Sequence, residues 1–138
     1  MTIRSYRTLP PEAVAIRQAV FVDEQGFAEE FDGTDREAVH LVLFVQDTPA
    51  ATCRYYWNQE QGCHAIGRLA VVRTHRGQQL GAAMLRAAEE QIAQAGGTQA
   101  ALAAQIRAQG FYEKQGYQPH GAPFDEEGCP HIWMRKAL

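Results

Sequence analysis

Arg76, Gly77, Gln78, Gln79, Leu80 and Gly81 form the most specific chemical pattern in the chain. They lie between a β-branched run and a long amphipathic segment, so a strand is expected to feed a tight turn that opens a helix. The first amides of such a helix have no intrahelical partner, and its dipole adds roughly half a positive charge there. Arg76 contributes a whole charge, with His75 and Arg73 close by. That combination suits a phosphate or pyrophosphate. A tight turn with an ordinary solvated arginine has the same six residues, so the turn alone leaves both readings open. A ligand anchored there can also lie along Leu69, Ala70, Val71 and Val72 and pair with strand backbone.

Other side chains with chemistry are scattered. Gln105 and Tyr112 are seven apart, two helical turns, and share a face if one helix carries both. Glu24, Asp32 and Asp35 fall in an acidic stretch over residues 23–38, which reads either as a solvated loop or as a receptor for a cationic substrate. His40 and His131 each open an expected strand, where an imidazole can reach the sheet's cleft and titrate near neutrality. Either also reads as a capping or core histidine. Arg54 and Arg68, on adjacent expected strands, can bind a substrate carboxylate or phosphate, or pair with the acids of the loop. Cys63-His64 lacks a second ligand pair at zinc spacing, so no metal site is expected.

The elements that must position these groups alternate strand and helix signals. Thr2–Tyr6 reads as a short strand, and Pro10-Pro11 opens a helix running to Phe21. Residues 40–46, 50–57 and 64–73 read as three strands joined by turns, an antiparallel meander. A helix over residues 78–95 carries the stripe Leu80, Met84, Ala88, Ile92 and Ala95, stopped by Gly96-Gly97. A strand over 98–103, a helix over 105–115 capped by Gly116 with Tyr117 folding onto Phe111, and a strand over 131–136 complete the series. Strand, helix and strand from residue 64 to 103 imply a crossover and parallel neighbours.

The totals set bounds. The 138 residues suit one domain, and 46% apolar with 21% charged content is ordinary for a globular chain. A net charge of -3 without a basic stripe speaks against nucleic acid. No apolar leader opens the chain and no stretch approaches a membrane span. Three cysteines without a CxxC pair suit reduced thiols, so the cytoplasm is expected.

Taken in order, these residues resemble the GNAT superfamily of N-acetyltransferases. Its acetyl-CoA motif is Arg/Gln-x-x-Gly-x-Gly/Ala after a strand, here residues 76–81, followed by Phe-Tyr-x-x-x-Gly-Tyr/Phe, here residues 111–117. Gln79 stands at the motif's first glycine position and is expected to avoid positive φ. Val20-Phe21-Val22-Asp23-Glu24-Gln25, Glu30-Phe31-Asp32, Asp35, His40, Ala51-Thr52-x-Arg54, Ala104-Gln105 and the ending over residues 124–131 are similar to the ElaA-like branch.

The resemblance implies an α/β fold: a mixed, mostly antiparallel twisted sheet of six or seven strands with helices on both faces. It implies acetyl-CoA held by Leu69, Ala70, Val71, Val72, Arg76, Gly77, Gln78, Gln79, Leu80, Gly81, Ala82, Gln105 and Tyr112. An amide near Val71 polarises the thioester carbonyl and Tyr112 serves the leaving thiolate. The base comes from Glu24, Asp32, Asp35, His40 or His131, and Asp32, Asp35, Arg54 and Arg68 receive the substrate. The implied partner is an amine of a small molecule or peptide, with homodimerisation through a sheet edge open. Two readings compete: the N-terminal half is also similar to acyl-homoserine lactone synthases at Phe21, Asp32, Asp35 and Arg54, and a catalytically silent CoA-binding domain is the other.

Overall fold

The long amphipathic segment forms α2 (Leu80–Gln94), and its stripe is buried as far as Ile92. Ala95 leaves the stripe and caps the helix instead. Beyond it Gly96 turns left-handed at φ 93, so that Gly96 donates to the Ala93 carbonyl and Gly97 to that of Ile92. This is the pairing that satisfies a helix's last carbonyls. A Cβ at Gly97 would meet Ile92 Cγ2 at 2.4 Å, so no larger residue fits there.

The computed structural model describes residues 1–28 and 31–138; Glu30, part of the resemblance above, lies outside them. Among the described residues the strands are β1 (Thr2–Tyr6), β2 (Val39–Val45), β3 (Thr48–Asn58), β4 (Cys63–Val71), β5 (Gln99–Gln105), β6 (Gln118–Pro119), β7 (Phe124–Glu126) and β8 (Cys129–Ala137). Their order is β1-β2-β3-β4-β5-β8-β6, with β7 also on β8. Every pairing is antiparallel except β4 with β5, the expected crossover. Eight strands replace the expected six or seven because β6 and β7 are two- and three-residue pieces amid prolines and glycines, too short to show periodicity. The β2–β3 turn falls at Gln46 and Asp47, both at positive φ, rather than at residues 47–49.

Helices cover both faces. Pro10 precedes α1 (Pro11–Arg17), which continues as a π-helical turn over Gln18–Glu24. Ala13, Ile16, Val20 and Phe21 pack on Val42 and Ala70, while α2 packs on the opposite face with Leu41, Leu43 and Ile66. Strand alternation explains the division, since Leu41 and Leu43 point one way and Val42 the other. Each fully buried Leu or Met contributes about 2–3 kcal/mol by transfer from water.

The C-terminal helix begins later than expected. Gln105 is extended and ends β5, a 3-10 turn spans Ile106–Ala108, and α3 is Gln109–Lys114. Gln105 and Tyr112 therefore do not share a helical face. At its end Gly116 takes φ 96, with Gly116 donating to Glu113 O and Tyr117 to Tyr112 O. This cap places Tyr117 against Tyr112, with ring centroids 6.3 Å apart, and not against Phe111. Inside, the Tyr117 hydroxyl donates to Glu89 of α2, which also accepts from Lys136 of β8.

Candidate active site

Strands β4 and β5 pair at only two positions, His64 with Ala100 and Ala65 with Ala101. Beyond Ala65 the two strands splay, and between them opens a cavity of about 570 Å³. Ile66, Gly67 and Leu69 line it from β4, Leu102, Ala103 and Gln105 from β5. A mid-sheet gap leaves strand amides and carbonyls available to a ligand, since buried backbone groups demand partners.

A bulge shapes the β4 lip. Thr52 pairs with Ala70 and Arg54 with Gly67, so β4 fits one more residue than β3, and Arg68 takes φ 53 there. Bulges of this kind re-aim side chains beside active sites. Above the bulge, the Val72 amide donates to Ala50 O on β3 at 2.9 Å. Strand amides alternate between edges, so that of Val71 faces the gap. On the same edge Arg76 Nε donates to Val71 O at 3.0 Å.

The gap ends at the glycine turn. A 3-10 turn over Arg73–His75 leads to Gly77 at φ 80 and Gln79 at φ 61. Gln79 therefore occupies the left-handed region it was expected to avoid. It is the N-cap of α2, and the chain must reverse there for the helix to start. That geometry costs a non-glycine residue roughly 1 kcal/mol. The first helical bond runs from Ala83 N to Gln79 O, and Gln79 makes no side-chain cap. The amides of Leu80, Gly81 and Ala82 thus precede the helical ladder and point out of its start. A Cβ on Gly81 would meet Phe111 Cζ at 3.3 Å, so glycine here lets α3 close over α2.

Glu24, proposed as a base on sequence grounds, lies at this turn and does not line the cavity. Arg76 donates to both its oxygens, at 2.9 and 2.8 Å, and Arg73 reaches it at 3.4 Å. The hydrogen bonds from Arg76 hold its carboxyl below the usual range, which makes it a poor proton acceptor. The neighbouring Gln25 accepts from Gln105 Nε2 at 2.9 Å.

Tyr112 lines the cavity floor, and among the described residues nothing hydrogen-bonds its hydroxyl. Burial pushes its pKa up to about 12. The acids of the loop meet the strand arginines. Asp35 accepts from Arg17 at 2.8 and 3.1 Å and from Arg54 at 2.8 Å. Burial opposes its ionisation, but these guanidiniums overcome that and hold it at about 2. Asp32 accepts from Arg54 at 2.7 Å and from Arg68 at 3.3 Å. Arg54, Arg68 and Asp32 line the cavity, whereas Asp35 lies behind them. Of the two sequence readings, pairing among loop acids and strand arginines is the one observed.

The two histidines part company. His40 is 1% exposed and its Nε2 lies 2.9 Å from Asp35 O. Burial lowers its pKa, and it does not line the cavity. It belongs to the loop's anchorage, a correction to its place among the candidate bases. His131 lines the cavity, with Nδ1 2.8 Å from Cys129 O. A carbonyl only accepts, so Nδ1 carries the proton and Nε2 of the neutral ring keeps its lone pair. Nε2 is 3.4 Å from a Glu126 carboxylate oxygen.

Phe124, Glu126, Glu127 and Trp133 also line the cavity, and sequence reasoning missed them as site residues. Their signal was Glu127-Gly128, a two-residue hairpin turn ahead of the apolar run Ile132, Trp133 and Met134.

The matches to known proteins cover the same span. Residues 7–138 match the family model described as the acetyltransferase (GNAT) domain. An uncharacterized N-acetyltransferase, YjcF of Bacillus subtilis, is 32% identical over 128 residues, 91% of this chain and 90% of its own length. Escherichia coli ElaA superposes with a TM-score of 0.82 at 26% identity, over 98% of this chain and 99% of that one. An acyl-CoA N-acyltransferase from Pseudomonas aeruginosa gives 0.85 at 26% identity, over 99% and 100%. Family model, relatives and fold agree along the chain, which belongs to the GNAT family as an acetyl-CoA-dependent N-acetyltransferase.

Proposed function

We propose that the chain acetylates a primary alkyl amine of a small molecule by direct attack, with His131 as base and Tyr112 as hydrogen-bond donor to the leaving sulfur. The observation that carries this is the His131 ring, tied at Nδ1 and presenting Nε2 to the cavity between the splayed strands.

The residues present fit the coenzyme. The uncapped start of α2, the reversed backbone at Gly77 and Gln79, and Arg76 offer a cradle for a diphosphate. Leu69, Val71 and Gln105 edge the gap beside it. Acetyl-CoA supplies, when bound, an acetyl thioester with a thiolate leaving group.

The chain's own groups do the rest. An alkyl ammonium of pKa about 10.4 is neutral about once in 2,500 at pH 7, a deficit of about 4–5 kcal/mol. His131 Nε2 takes the proton, with a Glu126 carboxylate oxygen 3.4 Å away. The Val71 amide, facing the gap, is a fixed donor for a carbonyl oxygen. Tyr112 at about 12 is a far weaker acid than a thiol near 8.5, so full proton transfer from it is uphill by roughly 5 kcal/mol. Its hydroxyl therefore stabilises developing negative charge by hydrogen bonding. Free, largely buried cysteines support a reducing, cytoplasmic setting.

Thiol release from acetyl-CoA over a panel of amines tests the assignment. Tyr112→Phe should lower turnover about tenfold while coenzyme still raises the melting temperature as in the wild type. Absence of thiol release with every amine tested, alongside undiminished coenzyme binding, would favour a silent binding domain.

A further inference from the structure

Strands β7 and β8 form a hairpin closed by two residues, Glu127 at φ 50 and Gly128 at φ 76. Positive φ at both turn positions matches the twist of the strands. Phe124 pairs with His131, and alternation sets Glu126 and Trp133 on that same face. All four line the cavity, with Glu127 at its rim. The rings of His131, Phe124 and Trp133 stack in series, with centroids 5.8 and 6.4 Å apart and planes 26° apart in each case. This face joins carboxylates to aromatic planes, the two surfaces an organic cation prefers.

The rest of the wall does not offset that charge. Arg54 and Arg68 already donate to Asp32, and Arg54 also to Asp35. Among the described lining residues of β5, α3, β7 and β8 there is no lysine or arginine. Arg107 lies with Glu127 in an adjoining groove and does not line this cavity; its Nε donates to Gln105 Oε1. Beside the acids, His131 lines the cavity almost fully buried, with Nδ1 tied to Cys129 O and Nε2 3.4 Å from a Glu126 oxygen.

We infer that the acceptor carries a second cationic centre a few bonds from the reacting amine, and that the β7–β8 face binds it. This rests on the transferase reading above and narrows it to di- and polyamine-like acceptors. The reacting nitrogen donates to His131 Nε2. The second cation lies against Phe124 and Trp133 and is neutralised by Glu126 and Glu127.

The test compares 1,4-diaminobutane with butylamine, by thiol release and by calorimetric titration into the CoA-bound protein. The diamine should show at least tenfold higher kcat/KM, carried by KM, and at least tenfold tighter binding. Glu127→Gln should shrink that ratio about threefold, and Glu126→Gln with Glu127→Gln should bring it near one. Equal values for the two amines in the wild type, or a ratio unchanged in the double variant, would overturn the inference and leave acetyl transfer standing. If no amine releases thiol, the transferase reading falls, and the calorimetric ratio still decides the subsite.

Discussion

His40 and His131 stand near the starts of β2 and β8, each almost fully buried and each bonded through one ring nitrogen to a backbone carbonyl. At His40 the bonded atom is Nε2, the tip of the ring, so its outermost nitrogen is consumed in anchoring Asp35. At His131 it is Nδ1, the nitrogen nearer the backbone, and the tip is left facing the cavity. Type, burial and strand position are shared, so none of them separates a structural imidazole from a basic one. The identity of the bonded nitrogen does.

The largest effect should come from the pair itself. His131→Gln is expected to lower kcat/KM for the best amine by 10²–10³-fold at neutral pH. His40→Gln should stay within about threefold by the same thiol assay. Equal losses would break the comparison.

Asp35→Asn comes next, because it removes the carboxylate shared by the buried Arg17 and Arg54. Arg54 keeps Asp32, so losing the shared carboxylate should cost about 1.5–3 kcal/mol, the worth of charge-assisted hydrogen bonds, measurable by urea unfolding. Asp35 titrates at about 2 in the folded chain against 3.8 ordinarily. Its contribution is therefore complete above pH 4 and lost as pH falls from about 4 to 2, a leg of acid unfolding that the variant should lack.

His40→Gln should cost about 1–2 kcal/mol through the buried hydrogen bond to Asp35 O. Burial lowers the folded pKa of His40, so below its ordinary value of 6.5 the unfolded chain binds the extra proton. Wild-type stability should then decline as pH drops through that region, and the variant should be flatter. Gln79→Gly should change stability least. Relief of the left-handed strain, about 1 kcal/mol, is partly offset by added freedom in the unfolded chain, leaving roughly 0.5 kcal/mol, read from the melting temperature.

Local patterns were legible in the sequence and distant pairings were not. The stripe Leu80, Met84, Ala88 and Ile92 and the glycine stops at residues 96 and 116 follow from spacing alone, and they fix α2 and the seat of Tyr112. The crossover from β4 to β5 followed from strand–helix–strand order. Gln105 was misjudged because a seven-residue interval looks helical even when a strand occupies its first position. The hairpin face escaped notice because Phe124 to Trp133 becomes one surface only through β7–β8 register, and a three-residue strand has no periodicity to read. The partners of Arg54 lie 19 and 22 residues away, and only the folded loop selects them.

The two rungs joining β4 to β5 have a mechanical consequence. Each half of the sheet is stitched along its length, β1 through β4 by 5, 7 and 7 paired positions and β5 to β8 by 7. The halves meet through those two rungs, helped by α2, by Tyr117 donating to Glu89, by Arg135 of β8 donating to Gln61 in the β3–β4 turn and by Gln105 donating to Gln25. The protein is thus two boards joined at one corner, and a molecule wedged along the open joint would act as the missing strip that stiffens both. Amide hydrogens of residues 66–71 and 102–105 should report that stiffening, exchanging more slowly as the joint fills.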